Sequence, residues 1–243
     1  MSSKQSIIKP ISFRSDGFKL NGILHLPRVP RPPVVIGSHG LHSSSNSPKQ
    51  IALARYCNRL GIGYFRFDHR GCGASEGNFE AITSLDARSK DLSDAAAIIR
   101  RSEDTGSQIG LFGSSMGGTV CLNVANDLSV DVLVTFAAPI CSRIEQKQSP
   151  ENAITDIPKI FLDYRKRAFD ISEKLSNIGN ILIFHGDADT VVPISHAEEI
   201  YKWASQPKKM IKQILGDHPM SNPAHQKVFV REASQWFKKG LQP

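Results

Sequence analysis

Two periods of hydrophobicity take turns along the chain. ISFRS and FKLNGILHLP place apolar residues at alternate positions on either side of Asp16-Gly17. Asp-Gly between two such segments is a hairpin signal, because both residues tolerate the positive φ of a tight turn. A proline-rich bend, PRVPRPP at 27–33, closes the hairpin. After it, short apolar runs alternate with longer segments whose apolar residues recur every three or four positions. The runs are Val34–Ile36, Ile62–Phe67, Gln108–Phe112, Val130–Phe136, Ile181–Phe184 and Met210–Leu215. The helical segments are Pro48–Leu60, Ile82–Arg100, Met116–Asn126, Ile194–Ala204 and Pro223–Phe237. A continuous apolar run suits a strand buried on both faces. Strands alternating with helices therefore predict an α/β class: a mostly parallel central sheet of about eight strands, helices on both faces.

One stretch, 139–180, breaks this alternation. It offers a helical segment at Ile157–Ala168 and no clear strand. We expect a short cap or lid inserted between two sheet strands of a single domain spanning 1–243. Its Ile140, Ile144, Phe161, Tyr164 and Phe169 are expected mostly to pack that cap onto the sheet.

Composition narrows the class of protein. Of the 243 residues, 40% are hydrophobic and 22% charged, enough for a sizeable core and incompatible with a wholly disordered chain. No apolar run reaches the length of a membrane span, so no integral membrane association is expected. The start, MSSKQSIIKPISF, lacks the apolar centre of a secretory signal. Cys57, Cys72, Cys121 and Cys141 form no C-x-x-C pair. They read as reduced thiols, and the expected location is cytoplasmic. Lysine and arginine number 30 against 23 aspartates and glutamates. The excess is densest after Tyr201 and reads as a solvated rim of helices, without a nucleic-acid motif, so no nucleic-acid partner is expected. No histidines cluster at metal-ligand spacing, and neither a metal nor an organic cofactor is expected.

The chemistry sits where strands end. Gly113-Ser114-Ser115-Met116-Gly117-Gly118 fits G-x-S-x-G with Ser115 at its centre, after a predicted strand and at the start of a predicted helix. That is the context of a nucleophile elbow, in which a strained serine is presented next to a helix N-terminus that favours negative charge. His185-Gly186-Asp187-Ala188-Asp189 follows the strand ILIF. Asp189 is the candidate orienting acid, and Asp187 the competitor, better suited to a turn that bonds local backbone. Gly216-Asp217-His218-Pro219 follows the last strand, making His218 the candidate general base. His225, by the final helix, reads as a surface residue. Ser38-His39-Gly40-Leu41 follows a fourth strand, with His39 read as a structural histidine holding the loop and His42 as a residue that lines the entrance.

Together these segments resemble the α/β-hydrolase superfamily along nearly the whole chain. Phe67-Asp68-His69-Arg70-Gly71-Cys72-Gly73-Ala74-Ser75 resembles that superfamily's structural D-x-R-G-x-G-x-S loop, so Asp68 and Arg70 read as scaffold. The pattern is similar to small esterases with an inserted cap, including acyl-ester and hydroxycinnamoyl-ester hydrolases, and to dienelactone-hydrolase-like and serine-peptidase-like proteins. The resemblance implies a triad of nucleophile Ser115, acid Asp189 and base His218, in the chain order of that fold. It also implies an oxyanion hole from the backbone N–H groups of Leu41 and Met116. The oxyanion loop here is HGLH rather than a triple-glycine form. A serine nucleophile argues against dehalogenase and epoxide-hydrolase relatives, which use aspartate. The implied activity is hydrolysis of a small-molecule ester of a small or medium acyl group, aromatic acyl groups included. The same triad would serve a thioesterase, peptidase or acyltransferase, and a non-catalytic ligand receptor can also retain it. The acyl preference and the oligomeric state are not written in these motifs.

Overall fold

The computed structural model describes residues 6–142 and 168–241. The predicted helix at Ile157–Ala168 and most of the expected cap lie outside the described residues. The hairpin forms as expected, with β1 (Ile7–Ser15) and β2 (Phe18–Leu26) paired antiparallel through Ser15 and Phe18. Asp16 and Gly17 between them have φ of 45° and 86°, the pair of positive angles that a type I′ turn requires.

Six more strands follow: β3 (Val34–Ser38), β4 (Gly63–Phe67), β5 (Ile109–Ser114), β6 (Val132–Phe136), β7 (Ile181–Gly186) and β8 (Lys208–Gln213). The sheet order is β1-β2-β4-β3-β5-β6-β7-β8. β2 pairs antiparallel with β4, and every pairing from β4 to β8 is parallel. This is the eight-stranded, mostly parallel sheet of an α/β-hydrolase fold.

The continuous apolar runs are explained by what lies on each face. Ile36, Phe65, Phe67, Leu111, Leu133, Ile181 and Ile183 enter one core. The alternate residues Val35, Tyr64, Phe112, Val134, Leu182 and Phe184 enter a second. The second core is covered by α1 (Pro48–Arg59) and α6 (Pro223–Gly240), through Leu53, Ala54, Cys57, Phe229, Ala233 and Phe237. The first is covered by α3 (Leu85–Arg101), α4 (Met116–Val124) and α5 (Ser195–Trp203). Each strand residue is thus buried whichever way it points, which removes the polar alternation of a one-sided sheet.

Local chemistry sets the helix ends. Ser47 caps α1 before Pro48, Ser84 caps α3, and Asn222 caps α6 before Pro223. Two elements were not anticipated. A single-turn helix, α2 (Phe79–Ile82), is capped by Asn78, and a 3₁₀ helix spans Ser172–Asn177. β8 also ends two residues earlier than the apolar run suggests. Leu215 turns to φ 57°, its N–H donates to Asp187 Oδ1 at 2.6 Å, and Ile214 and Leu215 are left exposed.

Candidate active site

Ser115 begins where β5 ends. Its φ of 53° and ψ of −127° lie outside the regions open to ordinary side chains, a strain of about 1–3 kcal/mol. Hydrogen bonds over-determine it. Its N–H donates to Phe136 O at 2.8 Å, and its carbonyl accepts from Gly118 N at 2.7 Å and Thr119 N at 3.2 Å. Close packing makes the same demand. A Cβ on Gly117 would overlap the carbonyl oxygens of Ser38 and His39, so α4 meets the loop after β3 only because that position is glycine.

Asp189 leaves the loop after β7. Its Oδ1 accepts the N–H groups of Val191 and Val192, both at 2.8 Å, which locks the carboxylate. His218 leaves the loop after β8. Its Nδ1 is 2.7 Å from Asp189 Oδ2, and its Nε2 is 3.1 Å from Ser115 Oγ. A carboxylate has no proton to give, so the Asp189 contact assigns the ring proton to Nδ1. Nε2 is left as an acceptor for the serine hydroxyl. The Asp189 side chain is fully buried, whereas that of His218 is 18% exposed and can meet a substrate. Three residues spread over 103 positions of sequence are therefore linked at the carboxyl ends of parallel strands, where open α/β sheets bind ligands.

The loop carrying His218 is tied down from several sides. Met220 is fully buried in the second core. Asp217 Oδ1 accepts Ser221 N–H at 2.7 Å. Lys49, at the start of α1, donates to Pro219 O at 2.9 Å and sits 5.0 Å from the centre of the Phe136 ring. Burial pushes the Lys49 ammonium down from its ordinary value, opposed by the Asp217 carboxylate. Lys49 carries no local signal in the sequence, because its hydrogen-bond partner Pro219 lies 170 residues away.

A second serine–histidine–aspartate line sits behind the first. Ser38 Oγ is 2.8 Å from His69 Nε2, and His69 Nδ1 is 3.4 Å from Asp91 Oδ2. The side chains of His69 and Asp91 are 0% exposed, as is Ser38. Nothing can reach this line, so it is a buried brace. Asp91 also accepts from Arg70 N at 2.9 Å and Arg70 Nε at 2.8 Å. Burial pushes the Asp91 carboxyl up, but the His69 and Arg70 hydrogen bonds outweigh it and hold the group far below the usual carboxylate range. Asp68 accepts from Ser45 N and Ala74 N. Asp68 and Arg70 thus hold loops, as their scaffold reading expected.

His39 holds the loop after β3. Its Nε2 accepts the backbone N–H of His69 at 3.1 Å, and its Nδ1 therefore donates to Gly40 O at 2.8 Å. Burial, with the Arg88 guanidinium beside it, keeps its imidazole well below the ordinary histidine range and neutral. Gly40 backs onto the elbow: a Cβ built there would lie 3.6 Å from Ser115 Cβ. Met116 is the first residue of α4, so its N–H has no acceptor within the helix. Leu41 and Met116 pack together beside Phe79, Leu85 and Phe169, an apolar patch next to the serine. His42 is exposed, its ring centre 5.1 Å from that of Phe79. Asp187 bonds backbone across to the β8 loop and does not join His218. His225 is half-buried, its carbonyl taking a hydrogen bond from Gln213. Among the described residues no three His, Cys, Asp or Glu side chains group as metal ligands, and no helix is long and apolar enough to cross a membrane.

The fold and part of the chain are shared with known proteins. The family model described as "Serine aminopeptidase, S33" matches residues 30–168, a span that includes Ser115 and the loop after β3 and ends before Asp189. The uncharacterized protein YfhR of Escherichia coli strain K12 is 28% identical over 201 residues, 76% of this chain and 62% of that protein. The chain thus spans less than two thirds of that relative. The mitochondrial palmitoyl-protein thioesterase ABHD10 of Mus musculus is 26% identical over 216 residues, 79% of this chain and 71% of that protein. Among solved structures, Est1E from Butyrivibrio proteoclasticus with bound ferulic acid has a TM-score of 0.79 at 19% identity, covering 96% of this chain and 100% of that one. Dienelactone hydrolase from Anabaena variabilis has a TM-score of 0.76 at 19% identity, covering 98% and 100%. At such identities the structures speak for the fold, and the family match, over more than half of the chain, speaks for descent. The chain belongs to the serine aminopeptidase S33 family of α/β-hydrolases.

Proposed function

We propose that the chain is a serine hydrolase that cleaves carboxylic esters of small or medium acyl groups, aromatic acyl groups included, through an acyl-enzyme on Ser115. The observation that carries this reading is the unbroken line from Ser115 Oγ through His218 to Asp189, at 3.1 and 2.7 Å, with the His218 side chain partly exposed to solvent. Ser115 Oγ attacks the ester carbonyl while its proton passes to His218 Nε2. Asp189 holds the ring in the required tautomer and stabilises the imidazolium. The tetrahedral oxyanion rests on the N–H groups of Leu41 and Met116, with the N-terminus of α4 adding to the favourable field. The intermediate collapses, the C–O bond to the alcohol breaks, and His218 returns its proton to the leaving oxygen. Water then attacks the acyl-enzyme, giving its proton to His218. The carboxylic acid departs and Ser115 regains its hydrogen. Every step uses a group of this chain. The patch of Leu41, Met116, Phe79, Leu85 and Phe169 supports an apolar acyl group, and His42 is the proposed contact at the entrance.

A thioesterase is the second reading, favoured by the resemblance to palmitoyl-protein thioesterase ABHD10. The same line of residues would cleave a C–S bond in place of C–O. Hydrolysis of p-nitrophenyl esters from acetate to palmitate, with palmitoyl-CoA alongside, tests both. Wild type is expected to turn over short or medium esters best, and Ser115→Ala to lose at least about 10³-fold in kcat. A preference for the thioester would promote the second reading. No Ser115-dependent turnover on any of these would sink both.

A further inference from the structure

Among the described residues, Arg88 is the largest fully buried side chain. It projects from α3 beneath the loop after β3. Its Nη1 donates to His39 O at 3.2 Å and its Nη2 to Leu41 O at 3.0 Å. Nη2 also lies 3.4 Å from Cys72 Sγ, and Nε donates to Thr83 Oγ1 at 3.0 Å. Burying a guanidinium costs several kcal/mol of solvation. Here much of that cost is offset on two carbonyls of one short loop.

The geometry of that loop shows what the two bonds accomplish. The carbonyl between them, Gly40 O, accepts from His39 Nδ1 at 2.8 Å and from Ser43 N–H at 3.3 Å. Three successive carbonyls, those of residues 39, 40 and 41, are therefore all held. In a planar trans peptide the N–H points opposite to the carbonyl. Fixing Gly40 O fixes the direction of the Leu41 N–H, and Arg88 stops the flanking peptides from turning. A planar fork with five N–H donors can hold two carbonyls at once, and a lysine ammonium on a flexible stem holds them less rigidly.

We propose that Arg88 is a positioning residue for the oxyanion hole: it aims the Leu41 N–H by gripping the carbonyls of His39 and Leu41 from inside the protein. This rests on the serine-hydrolase reading. Its effect belongs to the transition state, because the Leu41 N–H meets its full partner only when the carbonyl oxygen becomes an oxyanion.

The test compares wild type, Arg88→Met and Arg88→Lys on p-nitrophenyl butyrate and on an alkyl trifluoromethyl ketone, whose adduct with a serine carries an oxyanion. Melting temperatures are taken in parallel. Arg88→Met is expected to lower kcat by about 10²-fold, as loss of one oxyanion donor does, with KM within about threefold. The ketone's Ki should rise in step with the fall in kcat. Arg88→Lys should lie between, near a tenfold loss, and decides the matter if Arg88→Met does not fold. Either folded variant with wild-type kcat and Ki overturns the proposal. So does a fall in kcat that leaves Ki unchanged. Failure of Arg88→Lys to fold would assign Arg88 to the scaffold alone and also overturn it. If wild type neither turns over the ester nor binds the ketone, the serine-hydrolase reading falls and takes this inference with it. If wild type does both and the variants match it, only the role of Arg88 falls.

Discussion

Ser115 keeps a backbone conformation that its own side chain disfavours, and its neighbours are chosen to allow it. Gly117 is the clearest case. Its missing Cβ is what lets α4 lie against the carbonyls of Ser38 and His39. Gly117→Ala should force these backbones apart, at a cost of about 1–3 kcal/mol and several degrees in Tm. Because the displaced segment carries the proposed oxyanion donors, kcat should also fall at least about tenfold. Thermal melts and saturation kinetics on the purified variant check this, and wild-type values in both would contradict the packing account. The residues that sequence could nominate share a property. Ser115, Asp189, His218 and His39 each follow an apolar run and sit in a glycine-marked turn. Their signal is local. Arg88, Asp91 and Lys49 carry no local signal. Arg88 reads as one more polar position on an amphipathic helix, and its partners at His39 and Leu41 lie 49 and 47 residues away. Only the fold reveals that it is inside.

Strands and helices were legible for a different reason: the two-sided sheet imposes continuous apolar runs, and the covering helices impose apolar residues every three or four positions. All eight strands and the five longer helices of the described residues fall where those patterns place them, with ends shifted by a few residues. The misses follow physical lines. α2 is a single turn, held by Asn78 rather than by an apolar stripe, so periodicity has nothing to detect. The 3₁₀ helix Ser172–Asn177 buries only Leu175. β8 reads too far at its end because Ile214 and Leu215 are apolar yet exposed, released from the ladder where Leu215 bonds Asp187. The pairing order also lay beyond the pattern. Nothing in the apolar runs states that β3 leaves β2 and inserts between β4 and β5, and that crossover sets the Ser38–Leu41 loop beside Ser115.

The folded chain as a whole keeps several histidines away from water, which couples its stability to pH. Burial, joined by Arg66 and Arg55, pushes His25 down to about 4. His69 and His196, again chiefly through burial, are also pushed down to about 4. In the unfolded chain a histidine titrates near 6.5. Between those values the unfolded state binds more protons than the folded one, so stability falls as pH falls through that window and is complete above it. Asp91, held low by its partners, adds a further loss only at lower pH, where unfolded carboxylates protonate. Tm is expected to drop by about 5 °C or more from pH 7.5 to pH 5, and a melting temperature unchanged over that range would contradict the buried neutral histidines. The stability of the whole and the chemistry of its open edge meet at one atom, Ser115 Oγ. Reaction with an alkyl fluorophosphonate, followed by intact-mass and peptide mass spectrometry, reads that atom. Fluoride should leave as the phosphorus bonds to the serine oxygen. One equivalent should appear on the peptide containing Ser115, with ester hydrolysis lost in proportion. Hydrolysis that survives full labelling, or a label carried by any other residue, would contradict the account.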